Sequence, residues 1–231
     1  MRLLFVASDA MEFRGLSTCT EALRKTGARV DWARAGRLNG HEVLLLANGA
    51  GWRRAAAAVD AGCETFRPDA VVSTGFCGAL DPQLGIADTV VANCVSAPGR
   101  RFSALPLRGG TASRVGMVCS IDHVARTAEE KRILRAQGAS AVEMESAGVA
   151  SRAEALGLPF YCVRAVTDLA GEDMANDFNK ALRPDGHFGT MRIFSHALRH
   201  PVARLPELIR LRHHCERAAR TLGEFFADCR Y

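Results

Sequence analysis

At 231 residues, 48% hydrophobic and 24% charged, the chain is long enough for one sizeable core, and it carries no repeat or low-complexity tract, which excludes disorder and a repeat array. The net charge of +5 is unevenly placed: residues 183–231 hold nine Arg against five Asp or Glu, with five of the seven His. That basic face suits an anionic substrate, a membrane surface or nucleic acid, with a solvated helix face as the default reading; for the chain as a whole no nucleic-acid partner is expected.

The first run, MRLLFVASDAMEF, meets Asp9 and Glu12 too early for a signal peptide and reads as a buried strand over 2–7. Nothing later approaches the roughly 18 apolar residues of a membrane span, so a cytoplasmic protein is expected. EFRGLSTCTEALRKTG (12–27) has helical spacing with Gly27 as its stop. RVDWAR and EVLLLAN predict strands, the Ala-rich stretch 52–66 a helix, and AVVSTG a short apolar strand running into a glycine turn. DTVVANCV and RVGMVCS predict strands separated by a polar loop with Pro98, Gly99, Pro106, Gly109 and Gly110. A helix over AEEKRILRAQG, a strand over SAVEME, a helix over SAGVASRAEALG and a strand over FYCVRAVTD follow. After Pro184 the pattern turns helical, in two segments (187–200 and 203–229) separated near Pro201. Strands alternating with helices argue for α/β layers around a mostly parallel or mixed sheet over residues 1–182, with residues 183–231 as a basic helical extension on the same domain.

The eight cysteines form no CxxC pair and several lie in apolar runs, so buried free thiols are expected rather than a disulfide or zinc framework. Gly49, Ala50 and Gly51 follow a strand and precede a helix, but the third glycine position of a dinucleotide fingerprint is Arg54 and no acid closes the next strand, which argues against that cofactor.

Three loops that follow apolar strands are candidates for chemistry. At STGFCGALDP (73–82), Gly75 and Gly78 let backbone N–H groups approach a ligand, although a structural turn explains them equally well. In AVEMES, Glu143 and Glu145 point to one side of a strand unless a bulge intervenes. Burying two carboxylates costs several kcal/mol each unless donors satisfy them; a pair of ribose hydroxyls or the internal Arg164 would serve. Thr167 and Asp168 close the strand FYCVRAVTD, where the Asp either caps a turn or holds a proton for a leaving group.

Together TGFCGAL (74–80), AVEMES (141–146) and LPFYCVRAVTD (158–168), in this order and at these separations, resemble the nucleoside phosphorylase and nucleosidase superfamily, which includes the methylthioadenosine/S-adenosylhomocysteine nucleosidases and the purine nucleoside phosphorylases. The likeness spans residues 1–182. It implies a three-layer α/β/α fold with a central mixed sheet, and cleavage of the N-glycosidic bond of a purine nucleoside without metal or cofactor. By the same resemblance Glu145 holds the ribose hydroxyls, Met144 packs on the sugar, Asp168 protonates the purine at N7 and Thr167 positions it. Gly75, Phe76, Cys77 and Gly78 lie beside nucleophile and sugar. His123 and Val124 fall where relatives stack an aromatic on the base. Glu143 is left between pairing an Arg and supporting the ribose site.

Departures concern the nucleophile. The water-activating acid of the hydrolytic members aligns with Arg14, where bacterial phosphorylases place a phosphate-binding Arg, and Glu12 is the nearest acid. Phe76 replaces a Ser of the glycine turn, and a second phosphate Arg falls on Ser73. Phosphate as co-substrate is expected slightly ahead of water. The Arg-rich extension after the TD strand resembles the hopanoid-associated phosphorylases, which implies a lipid-linked substrate such as adenosylhopane and peripheral membrane contact through a helix carrying Phe225 and Phe226. A homo-oligomer is also implied. The competing reading is a nucleoside-binding sensor on the same fold that has lost turnover.

Overall fold

The computed structural model describes residues 1–109, 111–198 and 201–231. Gly110 of the polar loop and the last two residues of the segment 187–200 lie outside the described residues. The buried run Arg2–Ala7 (β1) sits in the middle of a sheet, parallel to His41–Ala47 (β4) on one side and to Ala70–Ala79 (β5) on the other. Its side chains alternate between two cores, as the pleat requires: Leu4 and Val6 face one, Leu3, Phe5 and Ala7 the other.

On the first face lie Trp52–Phe66 (α2) and Ser146–Ala155 (α4), which supply Ala55, Ala58, Val59, Val149, Ala150 and Ala153 to the core. On the second lie Arg14–Cys19 (α1) and Pro201–Ala227 (α7), with Leu16, Ala218, Leu222, Phe225 and Phe226. The three-layer α/β/α fold with a central mixed sheet is therefore present. α1 and α7 cross closely enough that a Cβ on Gly15 would fall 2.0 Å from the Ala219 carbonyl oxygen, so glycine is required there.

One part of the sheet closes on itself. β5 pairs with Phe160–Asp168 (β10), which pairs with Thr89–Ala97 (β6), then Ser113–Ser120 (β8), then Ala139–Glu143 (β9), which returns to β5. Trp32–Leu38 (β3) and Glu21–Lys25 (β2) extend the opposite edge beyond β4, and Arg100–Ser103 (β7) pairs with β6. Ala128–Ala136 (α3) covers β9, and Phe178–Ala181 (α5) and Thr190–Ala197 (α6) lead into α7.

Several expectations change. The helix read over 12–27 stops at Cys19, where the Thr20 hydroxyl donates to the Leu16 carbonyl and the backbone turns extended. Residues 21–25 then pair with β3, an edge demand that overrides their helical spacing. The glycine turn after AVVST is no turn: β5 continues through Gly75 to Ala79. The strand SAVEME ends at Glu143, so Glu145 belongs to the start of α4. Phe225 and Phe226 are fully buried, and Phe226 meets Phe5 edge-on with centroids 5.2 Å apart. They form core and not a membrane-facing stripe. No helix among the described residues is long and apolar enough to cross a membrane. All eight cysteines are free thiols, four of them buried.

Candidate functional site

The ends of β1, β5, β9 and β10 converge on a cavity of about 610 Å³, walled on its far side by residues from 174 onward, including Leu211 and Cys215 of α7. Strand ends are where α/β folds gather ligand sites, because loops there carry free backbone groups and varied side chains.

Past β1 the chain makes a 3-10 turn, Ala10–Phe13, capped by Asp9 in a reciprocal capping box with Glu12. This turns Glu12 inward. One of its carboxylate oxygens accepts from the Ser8 N–H (2.7 Å), the Ser8 hydroxyl (2.8 Å) and the Asp9 N–H (3.0 Å), and the other from the Phe76 N–H (2.7 Å). Burial raises its pKa above the ordinary 4.5, against the pull of Arg164 and these donors. Gly75 makes the approach possible: at φ +139°, a Cβ there would lie 2.4 Å from Glu12 Oε1.

Arg164 of β10 is fully buried behind the cavity floor. Its guanidinium donates to Ser73 Oγ (2.7 Å), Ser146 Oγ (2.8 Å) and the Thr74 carbonyl (3.1 Å), and pairs with Glu143 at 2.5 Å and Glu145 at 3.7 Å. Although burial opposes its charge, Glu143 and then the other acids hold its pKa up. Glu143 Oε2 also accepts the N–H groups of Glu145 (2.9 Å) and Ser146 (2.8 Å), tying the start of α4 to the strand end. Glu143 Oε1 is a buried acceptor with no hydrogen-bond partner. Glu145 accepts from the Gly51 N–H at 3.0 Å. Burial first, then Glu143, push its pKa to about 8, against the effect of Arg164.

That shift has a consequence for folding. The folded-state pKa of Glu145 lies above the ordinary 4.5, so the folded protein binds this proton more tightly than the unfolded chain. The resulting stability is fully present below about pH 4.5 and is lost as pH rises through about 8. Glu145→Gln is expected to flatten the fall in urea midpoint between those limits; an unchanged slope would assign the titration to another group.

At the end of β10, Asp168 Oδ2 receives the ammonium of Lys131 at 2.6 Å, and Asp168 Oδ1 lies 3.1 Å from the Thr167 hydroxyl. That hydroxyl also lies 3.3 Å from the Cys77 carbonyl. It has one proton to give, shared between that carbonyl and the Asp168 carboxylate. Lys131 is 1% exposed and spends its remaining donors on the Leu169 (2.7 Å) and Glu172 (3.4 Å) carbonyls. Gly78 leaves room for the carboxylate: a Cβ there would come within 2.8 Å of Asp168 Oδ2.

The loop before α3 puts His123 on the cavity wall, its ring nitrogens 2.7 Å from Asp122 and 2.5 Å from Glu130. The Asp122 hydrogen bond, with Glu130 behind it, raises its pKa. Val124 is held by Asn179, which accepts its N–H (2.7 Å) and donates to its carbonyl (3.0 Å).

Of the residues singled out in the sequence, Glu12, Phe76, Cys77, Gly78, His123, Val124, Glu143, Met144, Glu145, Thr167 and Asp168 line this one cavity. Gly75 lies behind it, against Glu12 and Arg164. Arg14 is not brought in. It is the first residue of α1, exposed on the outer side, because the capped turn spends its inward position on Glu12. Sequence reasoning missed Lys131, whose signal was a lysine on the face of AEEKRILRAQG that also carries Leu134, three residues on. It also missed the apolar wall of Met174, Phe178, Phe188, Ile193 and Leu211.

Comparisons with known proteins give the family and the fold. A family model described as the phosphorylase superfamily matches residues 4–105 and 100–185. A 5'-methylthioadenosine/S-adenosylhomocysteine nucleosidase from Staphylococcus epidermidis is 31% identical over 164 residues, covering 58% of this chain and 72% of the relative. Among solved structures, an S-adenosylhomocysteine nucleosidase from Streptococcus pyogenes in complex with 5-methylthiotubericidin superposes with a TM-score of 0.73 at 20% identity, covering 98% of this chain and 96% of the other. A 5'-methylthioadenosine/S-adenosylhomocysteine nucleosidase from Neisseria meningitidis in complex with methylthio-immucillin-A gives 0.72 at 22%, covering 98% of each. The chain is an enzyme and belongs to the phosphorylase superfamily.

Proposed function

We propose that the protein releases adenine from a 5′-substituted adenosine by hydrolysis of the N-glycosidic bond. The observation that carries the choice of water is the charge of the cavity lining. Asp9, Glu12, Glu143, Glu145 and Asp168 line it, and no Arg or Lys does among the described residues. Such a lining gives a phosphate dianion no guanidinium or ammonium to hold it, whereas its carboxyl oxygens can stabilise a sugar gaining oxocarbenium character. Arg14, the residue that favoured phosphate in the sequence, stands outside. Glu12, with its pKa raised by burial, lies in the lining, from where it can take a proton from water.

Roles follow from position. Glu145 and the unpartnered Oε1 of Glu143 are acceptors for ribose hydroxyls, and Asp168 protonates the departing base. Glu12 in the cavity answers one of the two motives for the sensor reading, the missing acid; the other, Phe76 in place of a Ser, stands.

The 5′ group is proposed to be large and apolar, as in adenosylhopane. The wall of Met174, Phe178, Phe188, Ile193 and Leu211 supports this, as does a volume within the range of drug-sized pockets. Membrane contact, displaced from Phe225 and Phe226, falls to the exposed Met191, Leu198, Val202 and Ile209, on segments that also carry Arg192, Arg210 and Arg212.

One experiment tests the whole reading. The protein is incubated with 5′-methylthioadenosine and with long 5′-alkyl adenosines, free and in anionic liposomes, in phosphate and in phosphate-free buffer. Adenine and free sugar are expected in both buffers, fastest from the liposomal long-chain substrate. A ribose 1-phosphate product would overturn hydrolysis; preference for the short free substrate would overturn the lipid assignment.

A further inference from the structure

Gly49, Ala50 and Gly51, which fit no dinucleotide fingerprint, join β4 to α2 with three successive N–H groups that each go to a different part of the site. The Gly49 N–H donates to the Ser8 carbonyl (2.8 Å), next to the turn that carries Glu12, and the Gly51 N–H donates to Glu145 (3.0 Å). Between them, the Ala50 N–H donates to the carbonyl of Gly186 (2.7 Å), 136 residues on in the chain.

Gly186 stands at the tip of a hairpin. Leu182 pairs antiparallel with Phe188, the Gly189 N–H donates to the Ala181 carbonyl (2.8 Å), and the Gly186 N–H closes the turn over Pro184 and Asp185 on the Arg183 carbonyl (2.9 Å). The tip fits the 49–51 loop closely. At φ +75°, a Cβ on Gly186 would fall 2.5 Å from Arg54 Cδ and 2.7 Å from the Ala50 carbonyl oxygen. A second tie lies beside the first: Asp31, just before β3, receives Arg54 Nη2 at 2.8 Å and His187 Nε2 at 3.0 Å. Gly186, His187 and Phe188 line the cavity, and Phe188 meets Phe178 of α5 edge-on with centroids 6.3 Å apart. His187 and Phe188 lie beyond residue 185, where the family match ends, so family membership does not account for them.

We propose that this hairpin is the specificity-determining strap of the site: seated on the 49–51 loop and on Asp31, it holds Phe188 against the 5′ group of the substrate. The proposal rests on the reading that the 5′ group is large and apolar. Phe188 is 38% exposed and belongs to no helix, so its place in the wall depends on where the hairpin is seated. A ring left free would have to be ordered by the substrate, at a cost in affinity; a seated ring is ordered beforehand. The neighbouring N–H of the same loop holds Glu145, so the contact at the 5′ group and the grip on the ribose share one piece of backbone. Binding of the remote group is thereby realised at the ribose, in rate as well as in affinity. Asp31, Arg54 and Gly186 are positioning residues that act through Phe188.

Gly186→Ala tests the seat, because the added methyl has no room between Arg54 and Ala50 and the tip must lift. Asp31→Ala removes the second tie from outside the cavity lining. Adenosine and 5′-hexylthioadenosine are compared by kcat/KM and, in the slow Asp168→Asn background, by calorimetric Kd. The wild type is expected to favour the hexylthio compound on both measures. Gly186→Ala is expected to lose about tenfold of that preference and Asp31→Ala about threefold, while Asp31→Glu, which keeps the carboxylate, retains it. An undiminished preference in Gly186→Ala would overturn the proposal. So would an equal loss for both nucleosides, since a merely structural fault lowers the two alike. Asp31→Ala carries the same test should Gly186→Ala fail to fold. A wild type without any preference for the hexylthio compound would instead sink the apolar 5′ assignment, which keeps the two failures apart.

Discussion

Asp168→Asn is expected to lower adenine release by about a hundredfold or more, the usual contribution of a positioned acid. The substitution keeps the size of the side chain and its acceptor oxygen and removes the proton. It also leaves the ammonium of Lys131, 1% exposed, without its counter-charge, and an uncompensated buried charge costs about 3–5 kcal/mol of stability. The loss of rate and the loss of stability are separable. In the double variant Asp168→Asn/Lys131→Met the buried charge is gone, so urea unfolding should recover most of the stability while adenine release, followed by chromatography, stays low. Activity within about threefold of wild type in the single variant would remove Asp168 from the chemistry.

Arg164→Met is expected to have the largest effect on stability, about 3–5 kcal/mol or more. The guanidinium is fully buried and is the common partner of Glu143, Glu145, Ser73 and Ser146. Removing it strands the Glu143 carboxylate and leaves two hydroxyls and the Thr74 carbonyl without this donor. Arg164→Lys should rescue only part, since an ammonium keeps the charge but cannot reach four acceptors in the plane of a fork. Adding Glu143→Gln to Arg164→Met should recover more than the lysine does, because it discharges the stranded acid. Urea denaturation measures all three. A cost below 1 kcal/mol for Arg164→Met would show that the acids are already neutral in its absence.

Much of this was legible in the chain because its apolar runs are unambiguous. RLLFVA, EVLLLAN and FYCVRAVTD are strands since nothing else buries such runs between helices, and α2 spans the residues its Ala-rich stretch suggested. The pairing of Arg164 with Glu143 was also foreseeable, because a buried arginine and a buried glutamate need each other. Other features depend on contacts that spacing does not encode. The closed ring from β5 through β9 is set by which strands meet, and the edge strand β2 by an unpaired neighbour. Whether Glu12 or Arg14 faces inward is decided by the 3-10 geometry of a four-residue turn, where one residue of phase separates core from solvent. Lys131 hid because a lysine on a helix reads as solvent-facing until its partner, 37 residues away, is known.

The packing of α7 against β1 has a bearing on how the protein is made. Phe5 is covered by Phe226 and Tyr231, and Leu16 by a helix more than 200 residues downstream in the chain. During vectorial synthesis the first strand leaves the ribosome with one whole face uncovered, and it stays so until residues 218–231 emerge. A nascent chain in that condition exposes Leu3, Phe5, Val43 and Leu45 together, a surface that invites chaperone binding or aggregation. The N-terminal half thus completes its fold only once residues 218–231 have emerged, not in step with its own synthesis.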